Sequence, residues 1–446
     1  MGHRFRWRPV SQDESEVRIM LDRIINILQQ AEVSDYRLME LTTVSHQAFF
    51  VRQKLDQHRI SDTVHVTLDV YMDKETENGR FRGKASCEVH PNETDKQIRA
   101  KIEKLKFNAL LAVNPYYQLV KDEKYREERV RHDLYGALKT VVDAMHGIQD
   151  TESEKINSYE VFVNEYYYHI INSQGTDISF NTMDEQLEVV INSINEGHEI
   201  ELYHVIDFVE RTAEEITSEI MEVFRHARER NRAVPTKKMD NVRVLLSGDF
   251  NDRFFDYFLT RTNTQAVFLG YSSNKIGDNC QESDQCDKIT LRAAAHLDKS
   301  SRNLPYSKDG NKAQDLTIVE NGVYQNYWGD QITACYLGLE NVSPVYNFIV
   351  EPGSRFVEEM KKEPYLELVQ FSDFMMDPIV GNFGGEIRLG YYFDGNTVVP
   401  VTGGSITCNM NAVLKHVYFS KETRQLNNCI VPATIELFDV NVSGEQ

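Results

Sequence analysis

The stretch 242–259, VRVLLSGDFNDRFFDYFL, reads as a short apolar strand feeding an amphipathic helix, with Phe254, Phe255, Tyr257, Phe258 and Leu259 as its apolar members. It opens a half of the chain in which short strands are separated by turn signals: Asn321-Gly322, Pro352-Gly353, Gly384-Gly385, Asp394-Gly395 and Gly403-Gly404. Turns recurring between β-rich segments predict a barrel or sandwich-like sheet rather than a doubly wound one. The stretch contains neither His nor Glu.

Upstream the pattern is mixed. Residues 14–31 place Val17, Met20, Leu21, Ile24, Ile25 and Leu28 at spacings of three and four, which makes one apolar helix face. Strand-like segments follow at 35–44 and 47–53. Over 62–73, Val64, Val66, Leu68, Val70 and Met72 alternate with polar residues, as in a strand with one face on a core. Asn78-Gly79 supplies a tight hairpin turn, and 80–89 returns as the partner strand. Asn92 or Thr94 caps the next helix, whose buried stripe is Ile98, Ile102, Leu105 and Leu110. Residues 155–171 are strand-rich and aromatic (Tyr159, Phe162, Tyr166, Tyr167, Tyr168), and Gly175 turns them into 176–180. Sheet cores use such aromatics more often than ligand platforms do.

A long helix is expected over 202–230. It runs into RERNRAVPTKKMDN (228–241), where Pro235 and a basic run read as an exposed connection. The expected fold is α+β. An N-terminal domain, 1–232, carries an antiparallel-rich sheet with packed helices; a C-terminal domain, 233–446, is β-rich and barrel-like with a few helices.

Composition excludes several functions. The 446 residues carry 49 basic and 69 acidic side chains, a net charge of -20 spread over both halves. Without a basic lobe to displace phosphate counterions, direct nucleic-acid binding is not expected. No apolar run approaches the roughly 20 residues of a membrane span. The opening MGHRFRWRPVSQDE has basic residues but no apolar region behind them, so a secretory signal is not expected and the cytoplasm is. Six scattered cysteines then read as reduced thiols. Cys280 and Cys286 flank DNCQESDQCDK, but their spacing is too wide for a zinc pair and no second pair follows.

Few residues offer chemistry. His198-Glu199 is followed by His204, six positions on. On a helix these imidazoles lie about 240° apart, and on a strand they are too distant for one ion, so His198 and His204 are weak metal candidates. Cys429 is a third weak candidate, because a single thiol without two imidazoles makes a poor zinc shell. Asp249, Asp252 and Asp256 cluster near the helix start, where the helix dipole favours acids; a hard-cation site is the alternative. Nucleophile-elbow and phosphate-loop motifs are absent.

Several segments together resemble the TldD/PmbA family, once described as modulators of DNA gyrase and now as peptide-processing metalloproteins. Tyr167 to Phe180 (YYHIINSQGTDISF) is similar to its strand and Asn-Ser-x-Gly, here Asn172, Ser173 and Gly175. The Asp309-Gly310 pair in YSKDG resembles the close of its Phe-Asp-x-Glu-Gly turn. IVENGV, with Asn321 and Gly322, resembles its Asn-Gly hairpin, and NFIVEPG, ending at Gly353, its Pro-Gly turn. Residues 380–401 and 431–444 resemble its closing strands.

The resemblance implies a two-domain fold with an antiparallel, barrel-like C-terminal domain. In the catalytic branch, the helix at 242–259 carries His-Glu-x-x-x-His around a metal ion, with a Cys inside Cys-Gly-Lys-x-Gly-Gln near the C-terminus. Here the first motif is missing, and Cys429 is followed by Ile430 and Val431. This is similar to the TldE/PmbA branch: a non-catalytic subunit, needing no cofactor itself, that pairs with a zinc-bearing TldD-like metallopeptidase acting on unfolded peptides. A metallopeptidase with a non-standard metal site and a stand-alone homodimeric peptide-binding protein are the alternatives. The scaffold residues implied are Asn172, Ser173, Gly175, Asp309, Gly310, Asn321, Gly322 and Gly353.

Overall fold

The computed structural model describes residues 14–445 except 113, 284 and 341. The opening residues read against a secretory signal lie outside it, apart from Glu14.

Residues 35–208 supply one twisted sheet. Its central pair is β1 (Asp35–Val51) against β2 (Lys54–Thr76), followed outward by β3 (Gly79–Val89) and the short β4 (Asn114–Pro115). On the other side of β1, β6 (Glu154–Asn172) and β7 (Asp177–Asn195) pair antiparallel. The short β5 (Lys124–Arg126) and β8 (His198–Phe208) both join β7. Where two strands were expected over 35–53, β1 runs unbroken: Ser45 and His46 stay paired on both sides, to Ser61 and Ile60 and to Asn164 and Val163. In the 78–79 turn only Gly79 has a positive φ, +116°.

Helices α1 (Glu14–Gln30) and α2 (Asp95–Leu111) cover one end of this sheet, burying Leu21, Ile24, Leu28, Ile98, Ile102 and Leu105. Thr94 is the cap, in a capping box with Gln97. Ala109 completes the α2 stripe, and the expected Leu110 is exposed. Helices α3 (Leu134–Gly147) and α4 (Ala213–Asn231) cover Val161, Val163, Leu187 and Ile191. The helix expected from 202 starts eleven residues later. Leu202, Ile206 and Phe208 alternate inward along β8, whose pairing to β7 takes the backbone first.

The remaining strands form two sheets. In the first, β9 (Val234–Pro235) lies beside the strand Val398–Thr402. Next comes β10 (Met239–Leu246), parallel to Tyr365–Met376 and antiparallel to Ile435–Ser443. Ser405–Asn409 and Asn382–Phe393 continue the ring, and the latter returns to Tyr365–Met376, which closes a five-stranded barrel. A second sheet of six short strands packs on it around Phe254, Phe258, Leu291, Ile318, Val431 and Leu437.

One expectation in this half is corrected. Gly384 and Gly385 do not make a turn; they lie inside Asn382–Phe393, where the carbonyls of Ile406 and Asp373 approach so closely that a Cβ would collide. The connection at 228–238 is largely exposed as expected, with Arg228, Arg232, Pro235, Lys237 and Lys238 at the surface, and it is also tied down. Arg228 lies in α4 and pairs with Glu154, β9 is bonded into the sheet, and Thr236 is buried with its amide donating to Thr402.

Candidate functional site: the strand-to-helix turn and the seam beside it

β10 ends at Leu246 and the chain turns through Gly248, which Phe250 and the Val369 carbonyl press too closely to admit a side chain. Asn251 is fully buried, and its Nδ2 donates to the carbonyls of Leu246 (3.1 Å) and Ala433 (3.2 Å). This amide ties the turn to the strand Cys429–Pro432 and the residue after it, while its Oδ1 has no partner. A 3-10 turn, Asn251–Phe255, then leads into α5 (Asp256–Thr262). The element is amphipathic as expected: Phe254, Phe255 and Phe258 are fully buried, against Phe383 on the barrel and Phe419 beside it, while Arg253 and Asp256 are exposed on the opposite face.

Asp252 and Asp256, four apart, share one helical face. Burial raises both carboxyls, and the charge on Asp252 helps push Asp256 up to about 6. The same two carboxylates act on Cys429, which is fully buried and donates to the Leu426 carbonyl at 3.4 Å. Burial, and next Asp252, drive this thiol far above the usual thiol range. Asp252 and Asp256 are two of the three acids read from the sequence as helix-dipole residues, with Asp249; Asn251 was not singled out.

The donor set does not suit a catalytic zinc. A protonated buried thiol and two carboxyls that resist ionisation are poor ligands, and no group of three donors among the described residues is placed to hold a metal ion. The imidazoles are employed elsewhere. His198 and His204 are six residues apart on β8, about 20 Å at strand rise. His198 is bonded to Asn231 at 3.0 Å. His204 faces Glu219 of α4 at 3.5 Å and reaches Asp249 at 4.0 Å.

That last contact shows the turn lying on a seam between the two halves. Asp249 also pairs with Arg424. Along α4, Arg225 donates to the Tyr391 hydroxyl at 2.9 Å, and His226 meets Gln370 at 3.5 Å. Lys299 pairs with Glu215 at 2.5 Å, and its carbonyl accepts from the Val209 amide.

Two of the expected scaffold motifs meet farther along the seam. Asn172 Oδ1 accepts from the amides of Gln174 and Thr176, its Nδ2 donates to the Val120 carbonyl, and Gly175 closes the turn at φ +89°. Gly310, at φ +97°, sits against this turn; a Cβ there would lie 3.3 Å from Thr176 and 3.6 Å from Val120. Asp309 accepts from Arg37, which is also held by Asp69 at 2.5 Å. Ser173 donates to Asp35, and Asp35 pairs with the fully buried Arg82 at 2.5 Å. Arg37, Asp69 and Arg82 were not singled out from the sequence. Their signal is charged residues inside β1, β2 and β3.

Asn321, Gly322 and Gly353 lie apart from both groups, bracing the loop 280–289. Asn321 and Gly322 take φ +49° and +77°, as a primed hairpin turn requires. The Gly322 amide donates to Ile289, and its carbonyl accepts from the Cys280 amide at 2.7 Å. Gly353 is required by space rather than by a left-handed backbone: the Phe419 carbonyl and Asp287 leave no room for a Cβ.

Residues 239–444 match the sequence family described as the PmbA/TldA metallopeptidase C-terminal domain. This C-terminal half is therefore of a metallopeptidase-related family, and the fold of the whole chain is shared with several solved structures. TldE from Thermococcus kodakarensis superposes with a TM-score of 0.74 at 15% identity, over 95% of this chain and all of that one. Proteins described as candidate modulators of DNA gyrase from Bacteroides thetaiotaomicron and Thermotoga maritima give 0.78 and 0.76, each at 15% identity, over 96% of this chain and 99% of theirs. By sequence, an uncharacterized protein of Methanocaldococcus jannaschii, MJ0231, is 24% identical over 162 residues, 33% of this chain and 38% of that one. Residues 239–444 therefore belong to the PmbA/TldA metallopeptidase C-terminal domain family, and the chain as a whole shares its fold with a TldE.

Proposed function

We propose that this chain is the non-catalytic, TldE-like subunit of a peptide-processing pair, supplying part of the wall along which an unfolded peptide reaches a partner's metal. One observation carries the reading. The helix that the resemblance matches to the family's metal-binding motif has neither His nor Glu, and holds Asn251, Asp252 and Asp256 beside Cys429, whose thiol is raised by burial. Its long antiparallel sheet suits peptide backbone bound as an added strand, which asks little of side-chain sequence. The division at 232/233 and a cytoplasmic location belong to the same proposal; no described helix is long and apolar enough to cross a membrane.

The test mixes this chain with a His-Glu-x-x-x-His relative from the same organism and follows cleavage of an unfolded peptide. Cleavage is expected to need the relative and to change when this chain is added. Chelator-sensitive cleavage by this chain alone would favour the reading as an independent metallopeptidase. A stable homodimer that ignores the relative would favour a stand-alone peptide-binding protein.

A further inference from the structure

The first domain holds a cavity of about 250 Å³ far from the 246–256 turn in sequence, lined by residues around the start of α3 and the β8–α4 connection, among them His132, Asp133, Thr140, Met183, Glu185 and Arg211. Its polar atoms are mostly acceptors. Glu185 is 97% buried (3% exposed), and among the described residues its one hydrogen bond is from the Glu210 amide to Oε1 at 2.8 Å, so Oε2 has no partner. Glu210 holds a positive φ of +56° to present that amide. His132 gives its backbone N–H and Nδ1 to Glu165 Oε1, at 3.1 and 3.0 Å. A ring that donates from Nδ1 to a carboxylate keeps Nε2 as an acceptor when neutral. Asp133 uses Oδ1 to cap α3 at Gly136. The cation in the lining, Arg211, is turned to Glu219. Met183 and Ala137 add an apolar wall.

We infer that this cavity binds a primary ammonium group carried on a short aliphatic stem, with its N–H donors shared among Glu185 Oε2, Asp133 and His132 Nε2. Three N–H donors match three acceptors, and an ammonium offsets the burial that now raises the Glu185 carboxyl. A free small amine and the N-terminus of a peptide both present this group. The inference does not depend on the subunit role proposed above.

The experiment is isothermal titration of the full chain with n-butylamine, with trialanine amide and with N-acetyl-trialanine amide, at constant pH and ionic strength. Saturable binding is expected for at least one of the two amines and for none of the acetylated peptide. Butylamine alone points to a free amine, and trialanine amide to a peptide terminus. Glu185→Gln keeps an acceptor for the Glu210 amide and is expected to weaken binding at least tenfold. Should that variant not fold, the His132 ring signals of the unaltered protein give a second readout, moving with amine and not with its acetylated counterpart. No saturation by either amine, equal binding of the acetylated peptide, or undiminished binding by a folded Glu185→Gln would overturn the inference.

Discussion

Replacing Asp256 by Asn probes the strand-to-helix turn through stability alone. In the folded chain the Asp256 carboxyl stands at about 6, against an ordinary 3.8, because the surrounding protein strips part of its water and the charge of Asp252 lies close. The folded state therefore holds its proton over a window in which the unfolded state has released it. Below the unfolded value both states are protonated and nothing is lost. As pH rises towards 6, stability falls, and above 6 the full penalty is present. A shift of about two units corresponds to about 3 kcal/mol for a fully shielded group, but Asp256 is exposed and solvent screening leaves about 1 kcal/mol. Against this, Asp256 lies in the first turn of α5, where a carboxylate gains about 0.3–1 kcal/mol from the helix dipole. The two nearly offset at neutral pH, so the expected signal is the trend: the stability of Asp256→Asn relative to the parent rises by about 1 kcal/mol between pH 4 and pH 7.5. Urea denaturation at half-unit steps from pH 4 to 8 measures it. A gap that does not change with pH, or one that shifts in favour of the parent as pH rises, would refute the reasoning.

Arg82→Met leaves the charges of Asp35 and Asp73 without their shared partner inside the first sheet, and a loss of about 3–5 kcal/mol is expected by urea denaturation. Gly322→Val forces a β-branched residue to φ +77° and is expected to destabilise by about 1–3 kcal/mol, read from the thermal midpoint, whereas the same change at the unrestrained Gly147 is expected to cost nothing, since valine is the better helix former. The thiols of Cys280, Cys408 and Cys429 are raised by burial, so at pH 8 they are expected to react with a disulfide reagent only after denaturant is added. Limited trypsin is not expected to cut first within 233–238, because β9 is bonded to Val398–Thr402; early cleavage there, seen by mass spectrometry, would show that the strand opens.

Much of the fold was legible because hydrophobic period is local. The alternation over 62–73, the capping box at Thr94 and the Asn321-Gly322 hairpin each follow from neighbours in the chain, and each formed. Local reading failed where a distant partner decided the outcome. Leu202–Phe208 carries residues that suit either a helix or a strand, and the waiting edge of β7 made it a strand. Gly384-Gly385 looks like a turn until the opposing carbonyls of Ile406 and Asp373 are in place.

For the site, the sequence by itself determined what cannot happen at 242–259: with no His and no Glu, the ligands of a zinc helix are missing whatever the fold. It also determined the order of turn motifs that marks the family. Only the tertiary structure set Cys429 beside Asp252 and Asp256, joined Asn172–Gly175 to Asp309-Gly310 through Arg37 and Asp35, and left Glu185 with an unpartnered oxygen in a cavity. Residue types are written in the chain, but the protonation and partners of a buried group depend on desolvation and on charges brought close by folding, and neither is a property of sequence neighbours.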